Sequence, residues 1–154
     1  MNKNIPAIPK GYHSLTPYLC VAGAARAIEF YKKAFGAQEL MRMEHGDKVG
    51  HAEIQIGDSR VMIADEFPDI GFLGPGSFGG SPVYLHLYVQ DVDSRFEQAI
   101  AAGAKVRKPL KDQFYGDRSG CLEDPFGHFW FVSSHIEDVS PGEIHRRMTA
   151  EYAT

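Results

Sequence analysis

"HLYVQDVDSRFEQAIAAGAKV", residues 86–106, decides the fold, because residues 17–40, "PYLCVAGAARAIEFYKKAFGAQEL", carry nearly the same message. Setting Val21 over Val89 places Gly23 over Asp91, Ile28 over Phe96 and Glu29 over Glu97, and brings Gly36-Ala37 within one residue of Gly103-Ala104. A second echo follows at a similar offset, where "IGDSRVMI" (56–63) answers "FGHFWFV" (126–132). Nearly half of the chain is therefore one unit used twice.

Within each unit the pattern changes period in the same order. Residues 16–21 and 83–89 are short runs of aromatic and β-branched residues and read as strands. Helices are predicted over 24–35, with Ala25, Ile28, Tyr31, Lys32 and Phe35 on one face, and over 92–102, with Val92, Phe96, Ile100 and Ala101. Asp93 or Ser94 is a candidate N-cap for the second helix, and Gly36 and Gly103 stand where left-handed C-terminal caps belong. Three further strands follow in each copy, near 38–44, 49–56 and 60–65, then near 105–109, 118–123 and 128–134. Each unit reads β-α-β-β-β, which gives an α+β fold of two modules, about 14–66 and 83–135. The Gly/Pro-rich "FPDIGFLGPGSFGGSP", 67–82, has no period and reads as a linker between them, with a lid as the alternative. "SPGEIHRRM" has the order of a capping box, with Ser140 as cap, Pro141 first and Glu143 third, so a C-terminal helix is expected over about 140–150.

Composition narrows the function. The 154 residues are 44% hydrophobic, enough for one sizeable core, and the net charge of −4 offers no basic footprint for nucleic acid. Cys20 and Cys121 stand far apart without a C-x-x-C spacing, so no disulfide framework or thiolate zinc site is indicated and a reducing cytoplasm fits. No signal-like segment and no run long enough to span a membrane is seen.

The doubled unit, the "AIEFYKKAFGA" helix ending and the "LEDPFGHFWF" hairpin resemble the vicinal oxygen chelate superfamily, the fold of glyoxalase I, bleomycin-resistance proteins and extradiol dioxygenases, over about residues 14–135. "DQFYGDRSG" followed by "DPFGH" is similar to the subgroup labelled 3-demethylubiquinone methyltransferase-like, although no Gly-rich cofactor loop supports methyl transfer. The resemblance implies a curved eight-stranded cup around a cavity, with metal ligands on the first and last strand of each module. Carried over residue by residue, those positions fall on Thr16, Tyr84, Phe131 and either Val61 or Met62. Divalent ions need His, Asp, Glu or Cys donors, so the superfamily's metal site is expected to be missing, and no cofactor is expected. His51 and Glu53 share one strand face and are candidate acid/base residues; with His86 they make a possible relocated metal set, against the plainer reading of hydrogen-bonded strand histidines.

Tyr18, Tyr84, His86, Tyr88, Phe114, Tyr115 and Phe131 are the candidate ligand-binding side chains, with Arg118 as an anion anchor or, equally, the partner of Asp117 or Asp112. Asp117 reads as a turn residue. Trp130 should face away from Phe129 and Phe131, under a helix or at a subunit contact. Cys20 reads as packing, and His13, His128 and His135 as solvated or capping groups. These features point to a metal-free small-molecule binding protein, with a lyase, isomerase or dioxygenase-type enzyme as the alternative. A homodimer covering residues such as Phe30 and Tyr31 is expected.

Overall fold

The computed structural model describes residues 4–153. Its order is β1 (Tyr18–Val21), α1 (Ala24–Phe35), β2 (Gln38–His45), β3 (Lys48–Ile56), β4 (Ser59–Asp65), β5 (Tyr84–Tyr88), α2 (Val92–Ala102), β6 (Lys105–Asp112), β7 (Asp117–Glu123), β8 (Phe129–His135) and α3 (Pro141–Tyr152). The chain divides into two compact units, the first running to Gly80 and the second from Ser81. Each holds one four-stranded sheet, ordered β1-β4-β3-β2 and β5-β8-β7-β6. The first strand of each unit runs parallel to the last, and the other pairs are antiparallel.

In unit 1 the helix buries Ala24, Ala27, Ile28, Phe30, Tyr31, Ala34 and Phe35. The buried stripe is turned one position from the expected one, and Ala25 faces solvent, because small alanines on both sides make the boundary of the face hard to read. Phe30 and Tyr31 are inside their own unit, 6% and 0% exposed, and so are not available to cover a dimer contact. Gly23 caps α1 without a side chain. The missing acceptor comes from the last residue of β4: Asp65 Oδ1 takes the amides of Gly23 (2.9 Å) and Ala24 (2.8 Å), and Oδ2 takes that of Val49 (2.7 Å). A helix start leaves orphan N–H groups that a carboxylate satisfies well.

In unit 2 the cap of α2 is Asp91, which accepts from the Ser94 amide at 3.1 Å, rather than Asp93 or Ser94. Ser134 does here what Asp65 does in unit 1, accepting from Val92 N (3.1 Å) and donating to Val89 O (2.7 Å). Val92, Phe96 and Ala99 are buried against the sheet. Gly120 permits this, since a Cβ there would lie 2.7 Å from the Phe96 ring. Trp130 is buried on this same face, paired in register with Leu122, and its indole donates to Asp124 Oδ2 at 2.9 Å. Asp124 Oδ1 also takes the amides of Phe126 and His128, so the first residue of "DPFGH" organises its own hairpin.

Several details differ from the sequence reading. β1 begins at Tyr18, two residues late, because Pro17 has no amide to give a ladder. β6 runs through Pro109 to Asp112, which an edge strand with register shifts tolerates. The 67–82 segment is built: it has two 3-10 turns, Pro68–Ile70 and Pro75–Phe78, and a Phe67–Phe72 bridge. Glu66 Oε1 fixes it to unit 1 through the Gly74 amide at 2.8 Å, with the Phe72 ring 5.3 Å from that of Tyr18. At the C-terminus the capping box forms, Ser140 accepting from Glu143 N at 3.3 Å.

Candidate functional site

The sheet face turned away from the helix carries the predicted site residues, and alternation explains why. In unit 2, Tyr84, His86 and Tyr88 project to one side of β5, joined in register by Phe129, Phe131 and Ser133 of β8. The rings form a continuous row: Phe129 and Tyr84 5.0 Å apart, Tyr84 and Phe131 5.4 Å, Phe131 and His86 5.8 Å, His86 and Tyr88 4.7 Å. Tyr84 and Tyr88 remain 50% and 58% exposed, so the row leaves aromatic ring surface open to whatever approaches.

Polar side chains hold the row in place. The Ser133 hydroxyl bridges His86 Nε2 (2.8 Å) and the Ser119 hydroxyl (2.7 Å). Tyr88 donates its phenol hydrogen to Asp117 Oδ2 at 2.7 Å, and the other Asp117 oxygen meets His135 Nδ1 at 2.7 Å. Asp117 is thus a buried strand residue joining two side chains, not a turn residue, because β7 starts earlier than the sequence suggests. Its carboxylate, helped by burial, pushes the Tyr88 phenol up to about 12, so Tyr88 stays a neutral donor. Asp117 and then Asp138 favour the imidazolium of His135 and raise its pKa, which makes His135 an engaged group rather than a merely solvated one.

In unit 1 the polar chain is longer. The Tyr18 hydroxyl is hydrogen-bonded to His51 Nδ1 at 2.9 Å, and His51 Nε2 lies 3.3 Å from Glu53 Oε1. Beyond Glu53 stands Tyr12, whose buried hydroxyl completes no well-aligned hydrogen bond, with the Arg60 guanidinium 5.3 Å over its ring. The Tyr12 hydroxyl and then His51 hold Glu53 below the usual carboxylate range, while burial and the Glu53 charge push the Tyr12 phenol up to about 12. Cys20 is buried, and burial, with Glu66 and Asp65, pushes its thiol up to about 11, the opposite of an activated nucleophile.

Two predicted site residues are engaged elsewhere. Arg118 grips Asp93 through Nε and Nη2 (2.9 and 2.8 Å) and Asp112 through Nη1 (2.9 Å), so its guanidinium is an ion-pair hub rather than a free anion anchor. Phe114 packs its ring 5.3 Å from Tyr115 and 6.3 Å from Tyr152, and its carbonyl accepts from Arg147, which seats it beneath α3. Tyr115 keeps company with Asp117, whose charge, after burial, raises its phenol.

In the strand register Met62 pairs with Tyr18 as Phe131 pairs with His86, so Met62 rather than Val61 is the counterpart of Phe131. Of the phenol, thioether, phenyl and imidazole at these four positions, only the imidazole is a common divalent-ion ligand. Both nitrogens of His51 already have partners, and among the described residues no three His, Cys, Asp or Glu side chains group to hold a metal. The relocated set of His51, Glu53 and His86 therefore gains no support.

The profile of the Glyoxalase/Bleomycin resistance protein/Dioxygenase superfamily matches residues 12–132. The chain belongs to this superfamily. Among its relatives, the uncharacterized protein Rv0887c of Mycobacterium tuberculosis is 43% identical over 142 residues, covering 90% of this chain and 84% of that one. Among solved structures, TioX of Micromonospora sp. ML1 superposes with a TM-score of 0.65 at 27% identity, covering 80% of this chain and 99% of TioX. A Bacillus cereus PhnB protein described as a putative 3-demethylubiquinone-9 3-methyltransferase reaches 0.63 at 18% identity, over 79% and 99% of the two chains, and speaks for the fold alone. The superfamily's β-α-β-β-β pattern is present in both units of this chain. Among the described residues no helix is long and apolar enough to cross a membrane.

Proposed function

We propose that this superfamily member binds a flat organic small molecule, without a metal, on the aromatic row of unit 2. The observation that carries the reading is the run of five rings from Phe129 to Tyr88, half exposed and fixed from behind by Ser133 and Asp117. Rigid rings offer stacking area at little entropic cost, and each good stack contributes about 0.5–1.5 kcal/mol. Titration with naphthalene-2-carboxamide, followed by 1H–15N NMR, tests it. Saturable shifts centred on β5 and β8 are expected, and Tyr84→Ala should weaken binding about fivefold to tenfold. Shifts scattered over the surface, or an unchanged affinity in Tyr84→Ala, would sink the reading.

The chain from Tyr18 through His51 to Glu53 favours a second reading, proton transfer beside a carbonyl with His51 as base and Glu53 orienting it. His51→Ala separates the two, since it leaves stacking on unit 2 untouched but abolishes any turnover. The two free, buried cysteines support a reducing, cytoplasmic setting. A homodimer formed through the backbone edge of the first strand β5, which leaves the rings free, completes the proposal. Sedimentation equilibrium at micromolar protein should give twice the 17.1 kDa chain mass, and the single-chain mass throughout that range would exclude it.

A further inference from the structure

Unit 2 contains a base that the sequence reading passed over. Across its sheet, His86 of β5 pairs with Phe131 of β8, Phe131 with Cys121 of β7, and Cys121 with Lys108 of β6. These four residues share one rung, and the Lys108 ammonium ends 5.8 Å from the centroid of the Phe131 ring. The rung has no acid on it. The other bases of this sheet mostly have carboxylates of their own: Arg107 is bound to Glu123, Lys111 to Glu151 and Arg118 to Asp93 and Asp112. Lys105 pairs in register with the acidic Glu123. Lys108 has no carboxylate partner among the described residues, and it is exposed.

We infer that Lys108 is the anion anchor of the aromatic row, and that the molecule bound there is a planar aromatic anion, its ring against the exposed side of Phe131 and His86 and its negative group against the Lys108 ammonium. The inference rests on the reading of that row as a binding face. An ammonium held beside the negative face of one ring keeps its charge open to the anionic substituent of a ligand packed on the row, and a carboxylate is the simplest group to occupy the end of the rung. A neutral ligand would leave the charge unused. The role that the sequence assigned to Arg118 thus passes to a lysine two strands away from β8.

The test compares naphthalene-2-carboxylate with naphthalene-2-carboxamide, which have the same ring system and differ in charge. Wild-type protein is expected to bind the carboxylate about fivefold more tightly, as befits an exposed ion contact, with the preference shrinking as salt is raised. Lys108→Gln should abolish the preference while leaving the carboxamide affinity unchanged, and Lys108→Arg should keep it. Equal affinities in wild type, or a preference that survives Lys108→Gln, would overturn the inference and leave the binding face standing. Failure of both probes to bind would overturn the binding face and the inference with it. Lys108 is an exposed edge residue, so loss of folding does not confuse the outcome.

Discussion

Asp65→Ala is expected to lower the stability of unit 1 by about 3–5 kcal/mol, the range for removing the charged half of a buried hydrogen-bonded cluster. The carboxylate is 8% exposed and takes three backbone amides, those of Gly23, Ala24 and Val49. Two of them open α1, which has no side-chain cap and no acid in its first turn; the third belongs to β3. Without Asp65 the helix start and the neighbouring strand lose their shared acceptor at once. Asp65→Asn, which keeps one acceptor oxygen, should fall between the wild type and alanine. Denaturant unfolding followed by circular dichroism reads the effect, and a loss below about 1 kcal/mol would show that water replaces the carboxylate.

Gly116→Ala should be the next most damaging change, at about 2–4 kcal/mol, combining a left-handed backbone penalty with a backbone collision. Its φ is 101°, and a Cβ there would run into the Glu137 carbonyl and the Val139 side chain. The Gly116 carbonyl also receives the amides of Ile136 and Glu137, so relief of the clash pulls apart the exit of β8. Asp117 follows directly, and its bonds to Tyr88 and His135 would be disturbed. The variant should therefore lose both melting temperature and the chemical-shift signature of a hydrogen-bonded Tyr88. A variant as stable as wild type would show that the chain end yields at no cost.

The repeat made the architecture legible because period and order, unlike individual propensities, reinforce one another over many residues. Alternation also read the faces well: Tyr84, His86 and Tyr88 share one side, and Trp130 lies on the other. Local pattern fails where a partner comes from afar. The acceptor for α1 is more than forty residues away in sequence, and nothing around Gly23 announces it. For Arg118 the ion pair with Asp112 was legible, whereas its principal partner, Asp93, was not, since it sits on α2 in the position expected of a cap. Lys108 went unnoticed for a related reason, since the strand "KVRKPLKD" shows no site residue until the register places one of its bases over a ring.

β6 has one more consequence. It is the outer strand of its sheet, carries Lys105, Arg107, Lys108 and Lys111, is interrupted by Pro109, and slips register twice. A strand so built is a poor template for a stranger's backbone, whereas the opposite border of the sheet, β5, has no such guard. Strand addition to unit 2 is thus possible on one border only. Two copies joined there would leave only β6 borders outward from these sheets, so growth through them terminates at a pair instead of propagating into a fibre.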